Sequence, residues 1–267
     1  MKILFIGDVV GRRGRQAARY FVERYKSAEG VSFVIANGEN AAGGVGITPD
    51  TADELLSFVD VLTSGNHIWK KKEIINYMFS TDRLLRPANY PEDNPGEGYF
   101  IGTAPSGAQV AVINLEGRVF MDHPACPFRT AQQLVEKIRQ RTNIIIVDFH
   151  AEATSEKAAL GWFLDGKVTA VLGTHTHVQT ADERILPGGT AFISDVGMVG
   201  PRDSVIGMKP DSVIQRFLTG MPHRFETAKG VIMFNAVLIE VEPESGRALS
   251  IKRINELWER RGDESGG

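Results

Sequence analysis

One cysteine, Cys126, in 267 residues excludes an intrachain disulfide and any Cys-rich zinc module. Long apolar runs are missing as well. The first stretch, 3–6, runs straight into Gly7-Asp8 and does not read as a signal peptide. No run approaches the ~20 residues that span a bilayer, so the cytoplasm is the expected compartment. Neither charge sign dominates: 30 Lys+Arg against 33 Asp+Glu leaves a net charge of −3. Such a chain has no basic field to hold a nucleic-acid backbone, and stable nucleic-acid binding is not expected. Repeats and low-complexity linkers are absent too. A single domain over 1–267 is expected, with 256–267 as a charged, Gly-ended mobile tail.

What is present is an alternation. Short apolar runs bounded by Gly, Asp and Asn take turns with longer amphipathic stretches, which predicts an α/β layered domain. Strands are expected at 2–6, 32–36, 60–63, 143–149 and 168–172, and helices at 13–26, 49–58, 71–79, 130–141 and 155–164. Thr48-Pro49 is a good helix start, because Thr caps free N–H groups and proline fits the first turn. The Pro- and Gly-containing stretch 86–98 reads as a loop, followed by a hairpin of 99–103 and 109–115. The last third is strand-rich, at 184–186, 190–194, 231–241 and 249–254, with one helix at 212–218.

Chemistry collects where the buried runs end. The first run delivers Gly7-Asp8, the second Asn37-Gly38-Glu39-Asn40, the third Gly65-Asn66-His67. Two later runs deliver His150 and Gly173-Thr174-His175-Thr176-His177. In open α/β sheets the carboxyl ends of strands are where loops converge on a crevice. Four of the six histidines fall in this set. Singly, Asp8 reads as a helix cap, Asn66 as a turn residue and His150 as a structural histidine. Together they read as a metal site, which needs convergent O and N donors. On an extended segment His175 and His177 would face the same way, about 6–7 Å apart. Asp148 is assigned to the opposite face of its strand from His150 and left out of the site. A separate metal at His123 and Cys126 is not expected, and Arg12, Arg13 and Arg15 read first as solvent-facing helix residues.

Asp8, Glu39, Asn40, Asn66, His150, His175 and His177 offer too many donors for one tetrahedral zinc, which points to two ions. A carboxylate such as Glu39 can bridge cations held ~3.5–4 Å apart. With no thiolate in the set, iron, manganese, cobalt, nickel and zinc all suit the donors, and the residues do not choose among them.

These motifs resemble the calcineurin-like metallophosphoesterases. Glu39-Asn40, where the common pattern has Asp-x-x-Asp, is similar to the YmdB-like branch, as are Ile6-Gly7-Asp8-Val9-Val10-Gly11 and Thr174-His175-Thr176-His177-Val178. The resemblance runs from Lys2 to about Ile254. It implies a four-layer sandwich of two β-sheets flanked by helices, with a two-metal site at the strand ends. It places Asp8, Glu39, Asn40 and His177 around one metal, and Glu39, Asn66, His150 and His175 around the other. His67 takes the family's general-acid role, with a structural brace as its bland alternative. The implied activity is a phosphodiesterase acting on small cyclic nucleotides, 2′,3′-cyclic AMP being the most concrete substrate.

Three other readings stay open: a phosphomonoesterase, a regulatory module that keeps the metals but acts through partner or RNA-machinery contacts, and a metallohydrolase of non-phosphate substrates. The last fits poorly, because Val178-Gln179 follow His177 without the Asp of an H-x-H-x-D-H motif. A homo-oligomer fits the general habit of soluble proteins.

Overall fold

In the computed structural model, which describes residues 1–122 and 124–259, the alternation becomes two sheets with helices outside them. The first sheet contains β1 (Lys2–Ile6), β2 (Asp8–Val9), β3 (Val31–Asn37), β4 (Val61–Thr63), β11 (Met198–Pro201), β12 (Ile232–Val241) and β13 (Ala248–Trp258). Its order is β2-β11-β12-β1-β3-β4, with β13 also paired to β12. The second contains β5 (Tyr99–Thr103), β6 (Gln109–Glu116), β7 (Ile144–His150), β8 (Ala170–Thr174), β9 (Arg184–Ile185) and β10 (Ala191–Ile193), in the order β5-β6-β7-β8-β10-β9.

The period-2 alternation of side chains decides which layer each residue joins. Ile3, Phe5, Phe33 and Ile35 of the first sheet meet Val110, Val112, Ile144 and Ile146 of the second in one buried cluster between the sheets. Their neighbours Leu4, Ile6, Val34 and Ala36 point the other way. They pack against Ala17, Ala18, Phe21 and Val22 of α1 (Gly11–Glu29) and Leu55 of α2 (Pro49–Leu56). Ala111, Ile113, Ile145 and Val147 likewise pack on α4 (Pro127–Ile138) and α5 (Thr154–Leu164). Helix, sheet, sheet and helix thus form four layers. Two further helices, α3 (Ile74–Tyr77) and α6 (Pro210–Thr219), complete the described elements.

The direction of the strands is what places the site. β1, β3 and β4 run parallel, as do β6, β7, β8 and β10. Their carboxyl ends therefore open onto a common edge. Across that edge the Asn37 amide donates to Asp148 Oδ2 (3.2 Å), joining the end of β3 to β7. α1 starts at the same place, where the Gly11 amide donates to the Asn40 carbonyl (3.0 Å). Thr48 caps α2 as expected, in a reciprocal box with Thr51.

Four details depart from the sequence reading. The helix expected at 71–79 shrinks to one turn, α3, because β-branched Ile74 and Ile75 and Asn76 are modest helix formers in a loop-bound segment. The short strands β2 and β11 were not expected. They exist because Asp8 and Val9 find parallel partners in Met198 and Val199, a pairing no local pattern encodes. Glu256–Trp258, expected in the tail, belong to β13 opposite Ile232–Phe234, and Glu256 accepts hydrogen bonds from Arg24 and Tyr25. The rest of that tail, 260–267, and His123 lie outside the described residues. Finally, Arg13 and Arg15 are not simply solvent-facing: Arg13 stands over Trp258, while Arg15 pairs with Glu54 (2.6 Å) and donates to the Ala41 carbonyl. Among the described residues, no helix is long and apolar enough to cross a membrane.

Candidate metal centre

Each donor singled out in the sequence sits just beyond or at the end of a strand, and hydrogen-bond-range contacts join all of them. Asp8, Glu39, Asn40, His150 and His177 are buried, while Asn66, His67 and His175 are half-buried. Two groups share Glu39. In one, the Asn40 Nδ2 lies 3.5 Å from Asp8 Oδ1, 3.1 Å from Glu39 Oε1 and 3.1 Å from His177 Nε2. In the other, His150 Nε2 lies 3.3 Å from Glu39 Oε1, 3.2 Å from Asn66 Oδ1 and 3.0 Å from His175 Nδ1. Gly65 makes room for this second group: a Cβ there would stand 2.1 Å from the His150 ring.

The second group fits a cation by its own chemistry. Ligand atoms of Glu39, His150 and His175 all lie within 4.8 Å of one another. Three acceptors converge on His150 Nε2, more than a single N–H can satisfy, whereas a cation accepts them all. The outward nitrogens are tied down as well. Thr174 Oγ1 donates to Asp148 (2.7 Å) and so takes the His150 Nδ1 proton (2.9 Å). His177 Nδ1 donates to the Ile206 carbonyl (3.0 Å), and His175 Nε2 faces Glu152 (3.1 Å). Each ring thereby presents its remaining nitrogen inward, the arrangement that fixes the tautomer of metal-binding histidines. Asn40 is the exception in orientation: its NH2 faces the group, and the amide flipped about χ2 would offer an oxygen instead.

Two expectations about these residues need correction. His175 and His177 are not on an extended segment. β8 ends at Thr174, and the two histidines adopt φ of +104° and +65°, a region bulky L-residues rarely enter. They reach the two groups by a strained turn rather than by strand alternation. Asp148 does not face away from His150, because residues two apart on a strand share a face. It lies directly behind the His150 ring, through Thr174.

The electrostatics follow from burial. Burial alone would raise the Asp8 and Glu39 carboxyls, but His177 beside Asp8, and His150 and His67 beside Glu39, hold both below their usual range. Burial disfavours a charged His150, yet Glu39, Asp8 and Asp148 outweigh it and raise its pKa to about 9. His175, desolvated and next to that charge, falls to about 3 and stays neutral. Burial pushes Asp148 up to about 7 against the pull of His150.

A pH dependence follows. His150 Nε2 must shed a proton before it can ligate, and its folded pKa lies above neutrality, so cation uptake at pH 7.5 is expected to release about one proton per chain. Affinity should then rise with pH until about 9. Calorimetric Mn2+ titrations in buffers of different ionisation heat measure this, and identical apparent heats in all buffers would refute it.

Sequence reasoning missed the supporting shell: Thr174, Glu152, Asp148 and the Tyr90–Glu116 pair. Glu116 ends β6 opposite His150, and burial pushes its carboxyl to about 7 while it accepts the Tyr90 hydroxyl (2.5 Å). Of these only Asp148 carried a signal, its spacing from His150.

Comparison with known proteins agrees with the motifs. The family model described as YmdB-like protein matches residues 4–254. A Bacillus subtilis (strain 168) protein named 2′,3′-cyclic-nucleotide 2′-phosphodiesterase is 49% identical over 95% of this chain and 96% of its own. A crystal structure of a hypothetical protein from Thermus thermophilus superposes with a TM-score of 0.89 at 39% identity, covering 97% of this chain and 99% of that one. A crystal structure described as a novel phosphatase from Mycoplasma pneumoniae gives 0.90 at 35% identity, over 96% and 93%. A match of this extent makes the chain a member of the YmdB-like family, the branch its strand-end motifs resemble.

Proposed function

We propose that this chain is a metal-dependent phosphodiesterase that hydrolyses small cyclic nucleotides, 2′,3′-cyclic AMP foremost. The observation that carries the reading is the single connected network of seven donor residues with one half-buried imidazole, His67, at its border. The extent of identity to a relative named for 2′,3′-cyclic nucleotides supports the substrate class.

Asp8, Asn40 and His177 would hold one cation, Asn66, His150 and His175 the other, with Glu39 shared. Bound ions supply activated water and neutralise charge on the phosphate. We take iron or manganese as the ions, two of the metals that this thiolate-free mixture of oxygen and nitrogen donors suits. The chain's own part is to orient and to move a proton. Glu39 Oε2 accepts the His67 amide (3.1 Å), while His67 Nδ1 lies 2.9 Å from Asn40 Oδ1 and 3.3 Å from Glu39 Oε1. With Nδ1 engaged, Nε2 is the nitrogen left to protonate the departing ester oxygen. In a cyclic ester that oxygen stays tethered to the sugar, so an acid at hand matters to the outcome of each encounter. Donors come from both sheets, so the two sheets serve the site as one domain, and with no net basic charge the chain is not expected to hold a nucleic-acid polymer.

Elemental analysis paired with a phosphoester panel tests the reading. About two transition-metal ions per chain are expected, with activity lost to a chelator and restored by manganese or iron. A 2′,3′-cyclic nucleotide should be turned over faster than p-nitrophenyl phosphate. Equal or faster turnover of the monoester would make the protein a phosphomonoesterase, and active protein without metal would end the scheme.

A further inference from the structure

Lys157 and Asp195 form an ion pair in the interior, 2% and 1% exposed, with Nζ 2.7 Å from Oδ2. Neither residue belongs to the donor set. Removing both charges from water is expensive, and apolar residues of the same volume often serve stability as well, so the pair calls for another reason.

Its position supplies one. Besides Lys157, Asp195 Oδ2 accepts the Thr176 amide (3.0 Å), and Oδ1 accepts the Gly197 amide (2.8 Å). Thr176 is the residue between His175 and His177, whose positive φ values make that turn unfavourable on its own. Gly197, at φ +87°, accepts the Asp8 amide on its carbonyl (3.0 Å), and Asp8 Oδ2 accepts the His175 amide (3.3 Å). A Cβ at Gly7 would stand 2.1 Å from that same Gly197 carbonyl, so the two backbones touch. The main chain of Asp195 is tied to Thr180, which closes the turn from its far side. One carboxylate therefore grips the segments that carry Asp8, His175 and His177.

We propose that the Lys157–Asp195 pair is a positioning device for the metal centre, holding these three donors in place before a cation arrives. The proposal rests on the cation-binding reading above. Charge is essential to it: hydrogen bonds from amides to an ionised carboxylate are stronger than those to a neutral amide, and the Lys157 ammonium stands 2.7 Å from that carboxylate.

The test uses the full chain, stripped of metal and titrated with Mn2+ by calorimetry, with melting temperature measured in parallel. Asp195→Asn is expected to weaken Mn2+ binding ~10–100-fold, the range typical of partners that orient metal ligands. Lys157→Met combined with Asp195→Asn removes both charges, so it should regain melting temperature over Asp195→Asn without regaining affinity. In the stripped wild type, hydrogen exchange should find the Thr176 and Gly197 amides already protected. Wild-type affinity in either folded variant, or affinity that returns together with melting temperature in the double variant, would reduce the pair to a structural contact. Unprotected Thr176 and Gly197 amides in the stripped wild type would overturn the proposal even if neither variant folds. A wild type that binds no Mn2+ would instead overturn the metal-centre reading itself.

Discussion

Glu39→Ala is expected to lose bound metal at both groups and to lower turnover by at least ~10³-fold, more than the ~10–100-fold that outer partners of a ligand cost. The carboxylate reaches side chains of both groups: Oε1 lies 3.1 Å from Asn40 and 3.3 Å from His150. Its second oxygen holds the His67 amide, so the substitution also loosens the acid. The fold should survive better than the burial of Glu39 suggests. Stranding a buried charge costs about 3–5 kcal/mol, but His150 can discharge that cost by giving up its proton once its partner is gone. Metal content, circular dichroism and turnover on one preparation decide the matter. Full metal occupancy in a folded Glu39→Ala variant would refute the sharing of this carboxylate.

His67→Ala separates catalyst from binder. The imidazole supplies no cation ligand in the proposed scheme and little core volume, and the backbone N–H that donates to Glu39 survives in alanine. Metal content should therefore stay, while loss of the proton donor lowers turnover of a ribose cyclic ester by ~10²–10⁴-fold, or about 3–5 kcal/mol of barrier. The defect should shrink for p-nitrophenyl esters, whose leaving group hardly needs a proton. His175→Ala should differ by losing metal together with activity. Equal slowing of both substrates, or loss of metal from His67→Ala, would make His67 a brace. Unchanged turnover would take the acid role away from His67, whereas a metal-loaded wild type without turnover would favour the regulatory reading.

Most of the architecture was legible because it rests on local periodicity. The apolar runs that became β1, β3, β7 and β8 are buried on both faces, and such strands show as continuous hydrophobic stretches. The amphipathic stretches that became α1 and α4 show the helical period instead. Where the reading failed, the stabilising partner was distant. β2 and β11 are too short to leave a pattern and depend on distant partners, β2 on β11 and β11 also on β12. Glu256–Trp258 look like a charged tail until the long β12 is there to pair with them. Asp148 was misplaced for a different reason: strand alternation itself puts it on the His150 face, so the signal was present and misapplied.

The donor inventory was legible from residue order alone. Asp, Glu, Asn and His follow buried runs at five strand ends, and parallel strands carry their carboxyl ends to one edge, where those residues meet. How they meet was a matter of packing. Strand alternation could not foresee that His175 and His177 sit on a turn of positive φ, because that conformation is unfavourable locally and persists through Asp195 and Asp8, contacts from remote segments. Nor could it assign Thr174, Glu152 and the Ile206 carbonyl to the outward nitrogens of three rings. Those assignments are matters of angle and distance between elements, which the order of residues constrains only after both sheets have packed.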